Sequence, residues 1–179
     1  KRIIKLSSTS FLENDELSDP HMDFNDLLDD NTGVAVFSGT IFGLFGELFN
    51  KGKFSEISEL YKKLKLKFGD RFYIEIQRHN DQNELGFEKF NLTKSLELEI
   101  PIIATNEVFY LDKNMHEAHD ALTCIGHKTY VNEKSRIRLT NQHYYKNNLE
   151  MSELFVDLIN STSIINGNKD KQVSVKVAK

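Results

Sequence analysis

The chain has 179 residues, of which 39% are hydrophobic and 11% aromatic, which indicates a globular domain with a core rather than a disordered segment. Its net charge of −4 gives little electrostatic support for direct binding to a nucleic-acid backbone. A single cysteine, Cys124, excludes an internal disulfide framework and favours the cytoplasm. No apolar run approaches the ~18 residues of a membrane span. Because the first residue is not Met, we expect a piece of a longer protein.

The first fifty residues are predicted to hold three helices and one strand. Apolar residues at positions 3, 4 and 6 suit a first helix. Asp19-Pro20 is typical of a helix start and predicts a second helix over 21–30. The segment 34–38 is typical of a buried strand. The segment 41–49 is apolar with glycines at positions 43 and 46, which predicts a short, closely packed helix. The glycine spacing does not match a phosphate-binding loop.

Two longer helices and two further strands follow in alternation. Apolar residues at helical spacing from Phe54 to Phe68 predict a helix that ends at Gly69. A strand is predicted over 72–77, a helix over 84–98, and a third strand over 102–106. Strands that alternate with helices are typical of βαβ units. The sequence therefore predicts an α/β fold with parallel strands near 34–38, 72–77 and 102–106.

The C-terminal part is predicted to be mainly helical. One helical face carries five residues: Met115, Ala118, His119, Leu122 and Ile125. A polar loop over 126–147 precedes a last helix that contains Met151, Leu154, Phe155 and Leu158. After residue 160, valines alternate at 173, 175 and 177, and this pattern fits an edge strand and a disordered end equally well. We therefore divide the chain into a domain over 1–159 and an irregular or disordered tail over 160–179.

Polar side chains near the ends of the second and third strands are the main candidates for chemistry. Glu75 lies within a strand, where a buried carboxylate needs a partner. A metal ion, Arg71 or Arg78 would supply one, and the alternative is an outward-facing salt bridge. His79 and Glu107 follow neighbouring strands, whose carboxyl ends meet at one edge of a parallel sheet. Imidazole nitrogen and carboxylate oxygen bind zinc or manganese, although a site needs at least one more ligand.

The remaining histidines and the cysteine are weaker candidates. His116 and His119 are three residues apart, which is one residue short of the zinc-protease spacing. Because His119 lies on the predicted apolar face, a hydrogen-bonded structural histidine is the preferred interpretation. Cys124 is expected to be a small core residue. Three histidines lie in polar surroundings and are predicted to be solvated: His21, His127 and His143. No serine-hydrolase elbow is present in the sequence.

Three blocks of sequence occur in the order and spacing of a known family. They are residues 72–79, 100–111 and 118–125. They resemble the PHP (polymerase and histidinol phosphatase) domain of the alpha subunits of bacterial replicative DNA polymerases, and shorter matching segments extend the resemblance over about 1–159. It implies part of a distorted (β/α)7 barrel with metals at the carboxyl ends of the strands. It also implies Glu75, His79 and Glu107 as remaining ligand positions.

Several departures from the family indicate that this metal site is degraded. Metal-rich members carry Thr-Asn-Asp-Val-His-Tyr where this chain has residues 105–110. The aspartate is therefore replaced by Glu107, and a histidine ligand by Phe109, which cannot coordinate. Leu44 stands where many relatives carry an acid. The early histidine motif and the polymerase aspartates are absent from the sequence. We predict no catalysis by this segment, and no bound cofactor unless an intact site holds zinc or manganese.

The resemblance implies that the parent protein is a cytoplasmic DNA-directed DNA polymerase, a magnesium-dependent nucleotidyltransferase of DNA replication. Three functions remain open for this segment. The first is a part of the polymerase with a degraded site. The second is an active metal-dependent phosphoesterase or 3′–5′ exonuclease. The third is a non-catalytic docking module for the proofreading subunit. The expected partners are the rest of the alpha subunit and, for the third function, the proofreading exonuclease. Little direct contact with DNA, and none with membranes, is expected of the segment itself.

Overall fold

The computed structural model describes residues 2–14, 18–29 and 32–159, together with the backbone of 175–177. Helices and strands alternate through the middle of the chain. The helices are α1 (Arg2–Leu12), α2 (Phe24–Asp29), α3 (Leu44–Asn50), α4 (Phe54–Phe68), α5 (Gln82–Leu98), α6 (His116–Gly126) and α7 (Asn148–Leu154). The strands are β1 (Val36–Phe37), β2 (Phe72–Ile76), β3 (Ile102–Ala104) and β4 (Val175–Val177).

The four strands form one parallel sheet in the order β1-β2-β3-β4. Val36 lies beside Phe72, and Ile74 lies beside Ile102. Because consecutive strands are parallel neighbours, the chain must return along the sheet between them, and α4 and α5 make two of these returns. The predicted α/β class with parallel strands is therefore confirmed, although each strand is shorter than predicted.

The core forms where α4 packs on β2. Ile57, Tyr61 and Leu64 are at most 1% exposed, and Phe72 and Ile74 are fully buried. These side chains belong to one continuous apolar cluster, which also includes residues of α3 and α5. The alternating burial of β2 directs its other side chains, including that of Glu75, to the opposite face of the sheet.

The glycine at position 46 permits the close packing predicted for the third helix. A Cβ atom at Gly46 would lie 1.9 Å from the carbonyl oxygen of Ile41, which is far inside any permitted contact. Only a residue without a side chain fits against this backbone. The turn that precedes α3 therefore depends on this glycine.

Two predicted helices differ in the structure. The second helix begins at Phe24, because the carboxylate of Asp23, and not that of Asp19, accepts a hydrogen bond from the Asn25 N–H at 2.7 Å. The predicted apolar face of α6 faces solvent: Leu122 is 64% exposed and Ile125 is 74% exposed. Met115 and Ala118 on the same face are exposed as well.

A buried ion pair sets the rotation of α6. Asp120 and Cys124 are the buried residues of this helix, so Cys124 is a core residue as predicted. The Arg136 guanidinium lies 2.7 Å from the Asp120 carboxylate, and both side chains are less than a tenth exposed. An unpaired buried carboxylate would be strongly destabilising, so this pair outweighs burial of the apolar face.

The C-terminal end of the described chain contributes β4 to the sheet. The backbone of Val175–Val177 pairs in parallel with that of β3. The predicted irregular tail otherwise lies outside the described residues. Within the part that the structure describes, no helix is long and apolar enough to cross a bilayer.

Candidate metal centre at the strand ends

His79 lies three residues beyond the end of β2 and is 2% exposed. Its Nδ1–H donates to one oxygen of the Glu84 carboxylate at 2.8 Å, and the other oxygen accepts the backbone N–H of His79 at 2.7 Å. Glu84 is available for this role because Asp81 caps α5 and places Glu84 in the first turn. The ring's Nε2 then accepts the backbone N–H of Glu107 at 3.2 Å. Both ring nitrogens of His79 are therefore occupied.

His143 is the partner of His79 that the sequence did not reveal. The two rings stack with centroids 4.0 Å apart and planes inclined by 1°. His143 is 5% exposed, so the prediction that it is solvated is wrong. Burial, together with the neighbouring His79, lowers the pKa of His143 to about 4. The ring is therefore neutral at pH 7.

The stacked arrangement excludes a shared metal ion. The lone pair of an imidazole nitrogen lies in the ring plane, and a zinc ion sits about 2.0–2.1 Å from that nitrogen. Two parallel rings whose centroids are 4.0 Å apart have no common point that satisfies both nitrogens. At most one of His79 and His143 can therefore bind a given ion.

Hydrogen bonds from the segment that follows β3 hold the loop that carries His143. The His143 carbonyl oxygen accepts the Phe109 N–H at 2.9 Å, and Tyr110 forms a parallel bridge with Tyr144. The Lys146 ammonium donates to the Asn106 side chain at 3.0 Å. Burial lowers the pKa of Lys146 to about 8. These contacts dock the loop against the end of β3.

Glu75 does not join the histidines. Its carboxylate accepts hydrogen bonds from the Thr105 hydroxyl and, at 3.4 Å, from the Gln77 amide. In the described part of the chain, no hydrogen bond or ion pair connects Glu75 to His79 or Glu107. The partner of Glu75 is therefore a neutral group on the neighbouring strand.

The arginines that were predicted as partners of Glu75 are engaged elsewhere. The Arg71 guanidinium donates to the carbonyl oxygen of Val34 at 2.8 Å. Arg78 forms ion pairs with Glu88 at 2.6 Å and with Asp157 at 2.7 Å. The hydrogen bond to Asp157 is the largest cause of the raised pKa of Arg78, although burial opposes it. Arg78 thus ties the residue before His79 to α5 and to the segment after α7.

Phe109 covers the position where the resemblance places a histidine ligand. Its ring centroid lies 5.5 Å from that of His143 and 5.5 Å from that of His119. Of the other histidines, His116 contacts the carbonyl oxygen of Leu139 at 2.8 Å through Nε2. His21 and His127 are exposed, as predicted.

The residues that the resemblance implied do not fit a bound ion. Glu75 is hydrogen-bonded away from the pair, His79 has no free nitrogen, and the Glu107 side chain is 47% exposed. Across the residues described by the structure, no group of three or more His, Cys, Asp or Glu side chains has the geometry of a metal site. The structure therefore brings His79 beside the Glu107 backbone, without assembling a ligand set.

Comparison with known proteins agrees with this architecture. Residues 1–79, which include β1, β2 and His79, match the PHP domain family. Over most of its length the chain is similar to curated proteins named DNA polymerase III subunit alpha. It is 34% identical to that of Caulobacter vibrioides over 154 residues, which are 86% of this chain. It is 35% identical to that of Rickettsia prowazekii over 161 residues, or 90% of the chain. It is 32% identical to that of Borreliella burgdorferi over 159 residues, or 88% of the chain.

The resemblance indicated by the three sequence blocks is therefore confirmed. Residues 1–79 match the PHP domain family, and the chain is similar over 86–90% of its length to DNA polymerase III alpha subunits. It spans about 14% of the length of these relatives.

Proposed function

We propose that the chain serves as a non-catalytic PHP portion of a replicative polymerase alpha subunit, whose parent activity is DNA-templated DNA synthesis with magnesium in the cytoplasm. The observation that carries the non-catalytic assignment is that Nε2 of His79, the nitrogen left for an ion once Nδ1–H donates to Glu84, accepts the Glu107 backbone N–H. A histidine with no free ring nitrogen does not bind the metal ion that would activate water or bridge a phosphate.

The four parallel strands in sequential order support a piece of a distorted (β/α)7 barrel, with the domain extending over 1–159. In this function the strand-end residues stabilise the fold. Arg78, Glu84 and the loop around His143 join the ends of β2 and β3 to α5 and α7. The principal partner is the rest of the alpha subunit, which contacts the DNA.

A nuclease assay tests the non-catalytic assignment. The chain is incubated with a 3′-labelled oligonucleotide and with a chromogenic phosphomonoester, in the presence of Mn²⁺ or Zn²⁺. We expect hydrolysis no faster than with the Glu107→Gln variant, whose exposed side chain makes misfolding a poor explanation for any loss. Metal-dependent hydrolysis that disappears in Glu107→Gln would instead establish an active phosphoesterase or exonuclease.

A docking function for the proofreading exonuclease subunit is a second candidate, favoured by the exposed apolar face of α6. Leu122 and Ile125 lie one helical turn apart and are both more than half exposed. We expect Leu122→Glu to weaken binding to a purified proofreading exonuclease subunit from a relative. Leu66→Glu is the matched control, because Leu66 on α4 is 90% exposed and lies on a different helix. Equal binding by both variants would contradict docking through α6.

A further inference from the structure

Helix α5 buries two polar residues, Asn91 and Ser95, and only one of them is fully hydrogen-bonded. The Ser95 hydroxyl donates to the carbonyl oxygen of Ile100. Asn91 is 1% exposed, and its Oδ1 accepts the Tyr61 hydroxyl at 3.0 Å. Its Nδ2 atom is buried and has no hydrogen-bond partner among the described residues. A buried amide N–H without an acceptor is destabilising, so this atom requires a partner from outside the polypeptide.

A small cavity lies beside Asn91, where α5 faces the end of β2. About 20 Å³ of it is open to the centre of a water molecule, and a single water needs roughly 10–15 Å³. Asn91 and Glu88 both contribute to its lining. They are three residues apart on α5, so their side chains are neighbours on one face of the helix.

The chemistry of the lining determines which molecule fits this cavity. The Asn91 N–H groups are donors and need an acceptor, which a metal cation does not provide. An anion is excluded because Glu84 and Glu88 also line the cavity. The oxygens of Glu88 accept hydrogen bonds from Arg78, and a carboxylate oxygen has a second lone pair for a further donor. A neutral molecule that both accepts and donates, of the size of water, meets all these conditions.

We infer that this cavity binds one structural water, which accepts the Nδ2–H of Asn91 and donates to the Glu88 carboxylate. The water completes a polar chain from the Tyr61 hydroxyl in the core, through Asn91 and Glu88, to Arg78 beyond β2. It therefore couples the buried core to the ion pairs of Arg78. The site uses none of the strand-end histidines, so it goes beyond the proposed function and is independent of it.

Water–protein cross-relaxation, measured by NMR on the isotope-labelled chain, tests the inference. A water held in the cavity should give NOE and ROE cross-peaks of opposite sign to the side-chain amide protons of Asn91. Asn83 on the same helix is the internal control, because its side chain is exposed and surface water exchanges too quickly to give that pattern. Cross-peaks that share one sign at Asn91, or that are missing there, would overturn the inference.

Substitutions test the partners of the water. Arg78→Met combined with Glu88→Leu removes the acceptor together with its counter-charge, and the cross-peaks at Asn91 should disappear. Glu97→Leu on the same helix removes an exposed carboxylate and should leave them unchanged. Tyr61→Phe should leave them unchanged as well, because the water and not the tyrosine hydroxyl is their source. Loss in Tyr61→Phe, or survival in the double variant, would contradict the inference.

A crystal structure of the wild-type chain provides a readout that needs no variant, and it decides the matter if a variant unfolds. We expect an ordered water within hydrogen-bond distance of both Nδ2 of Asn91 and the Glu88 carboxylate. A direct hydrogen bond between these two groups, an ion between them, or a dry cavity would overturn the inference. None of these results changes the expected outcome of the nuclease assay, so the inference and the proposed function fail separately.

Discussion

Replacing Arg78 with alanine is expected to destabilise the fold more than any other single loss of charge near the site. All five N–H donors of Arg78 are satisfied: Glu88 and Asp157 accept two each, and the carbonyl oxygen of Leu154 accepts one. The guanidinium also lies 4.9 Å from the centroid of the Phe155 ring. Arg78 therefore contributes through charge, directional hydrogen bonds and packing at once.

The magnitude follows from the burial of each partner. Glu88 is 12% exposed, and leaving a buried carboxylate unpaired costs about 3–5 kcal/mol. Asp157 is 59% exposed, so its pair adds at most about 1 kcal/mol. We therefore expect Arg78→Ala to lower the free energy of unfolding by about 4 kcal/mol. Urea denaturation followed by circular dichroism measures the loss.

Two controls separate the buried charge from general effects. Lys62→Ala breaks an exposed ion pair with Glu59 on α4 and should cost less than about 0.5 kcal/mol. Arg78→Met combined with Glu88→Leu removes both charges and should recover most of the loss. A loss below about 1 kcal/mol in Arg78→Ala, or no recovery in the double variant, would refute the reasoning.

Three further predictions concern pH, helix orientation and close packing. The pKa of His143 is lowered to about 4 in the folded chain, so between pH 4 and 6.5 the unfolded chain binds more protons. The free energy of unfolding should therefore fall by up to about 3 kcal/mol as the pH drops through that range. Urea unfolding at pH 7 and pH 4.5 in a chelator should show this fall, and it should shrink in His143→Gln. Leu122→Glu should change the free energy of unfolding by less than about 0.5 kcal/mol, whereas Asp120→Ala should lower it by about 3 kcal/mol. A larger loss for Leu122→Glu than for Asp120→Ala would contradict the observed rotation of α6. Gly46→Ala should cost more than about 2 kcal/mol in thermal melts, against a small change for Gly126→Ala, whose Cβ would meet open space.

The sequence predicted the parts of the fold that local pattern determines. The apolar spacing from Phe54 to Phe68 and the stop at Gly69 are both present in α4, because a helix with one apolar stripe has a single favourable orientation on a sheet. The alternation in β2 likewise placed Glu75 on the face opposite the core. Local periodicity was sufficient for these elements.

The errors arise where distant residues decide the outcome. Asp120 is buried in place of the apolar face of α6 because Arg136, sixteen residues later, pairs with it. His143 reaches His79 because the loop docks on the end of β3 through Tyr110 and Asn106. Neither contact leaves a periodic signal in the sequence. The pairing of Glu84 with His79 could have been predicted from the sequence, because a carboxylate in the first turn of a helix faces the preceding loop.

Diffraction from crystals soaked in zinc or manganese, with anomalous data collected at the metal edge, tests the central claim most directly. That claim is that the inherited ligand positions of this PHP portion no longer hold a metal ion. We predict no anomalous peak within bonding distance of Nε2 of His79 or of the Glu75 carboxylate. A peak coordinated by His79 together with Glu75 or Glu107 would contradict the account.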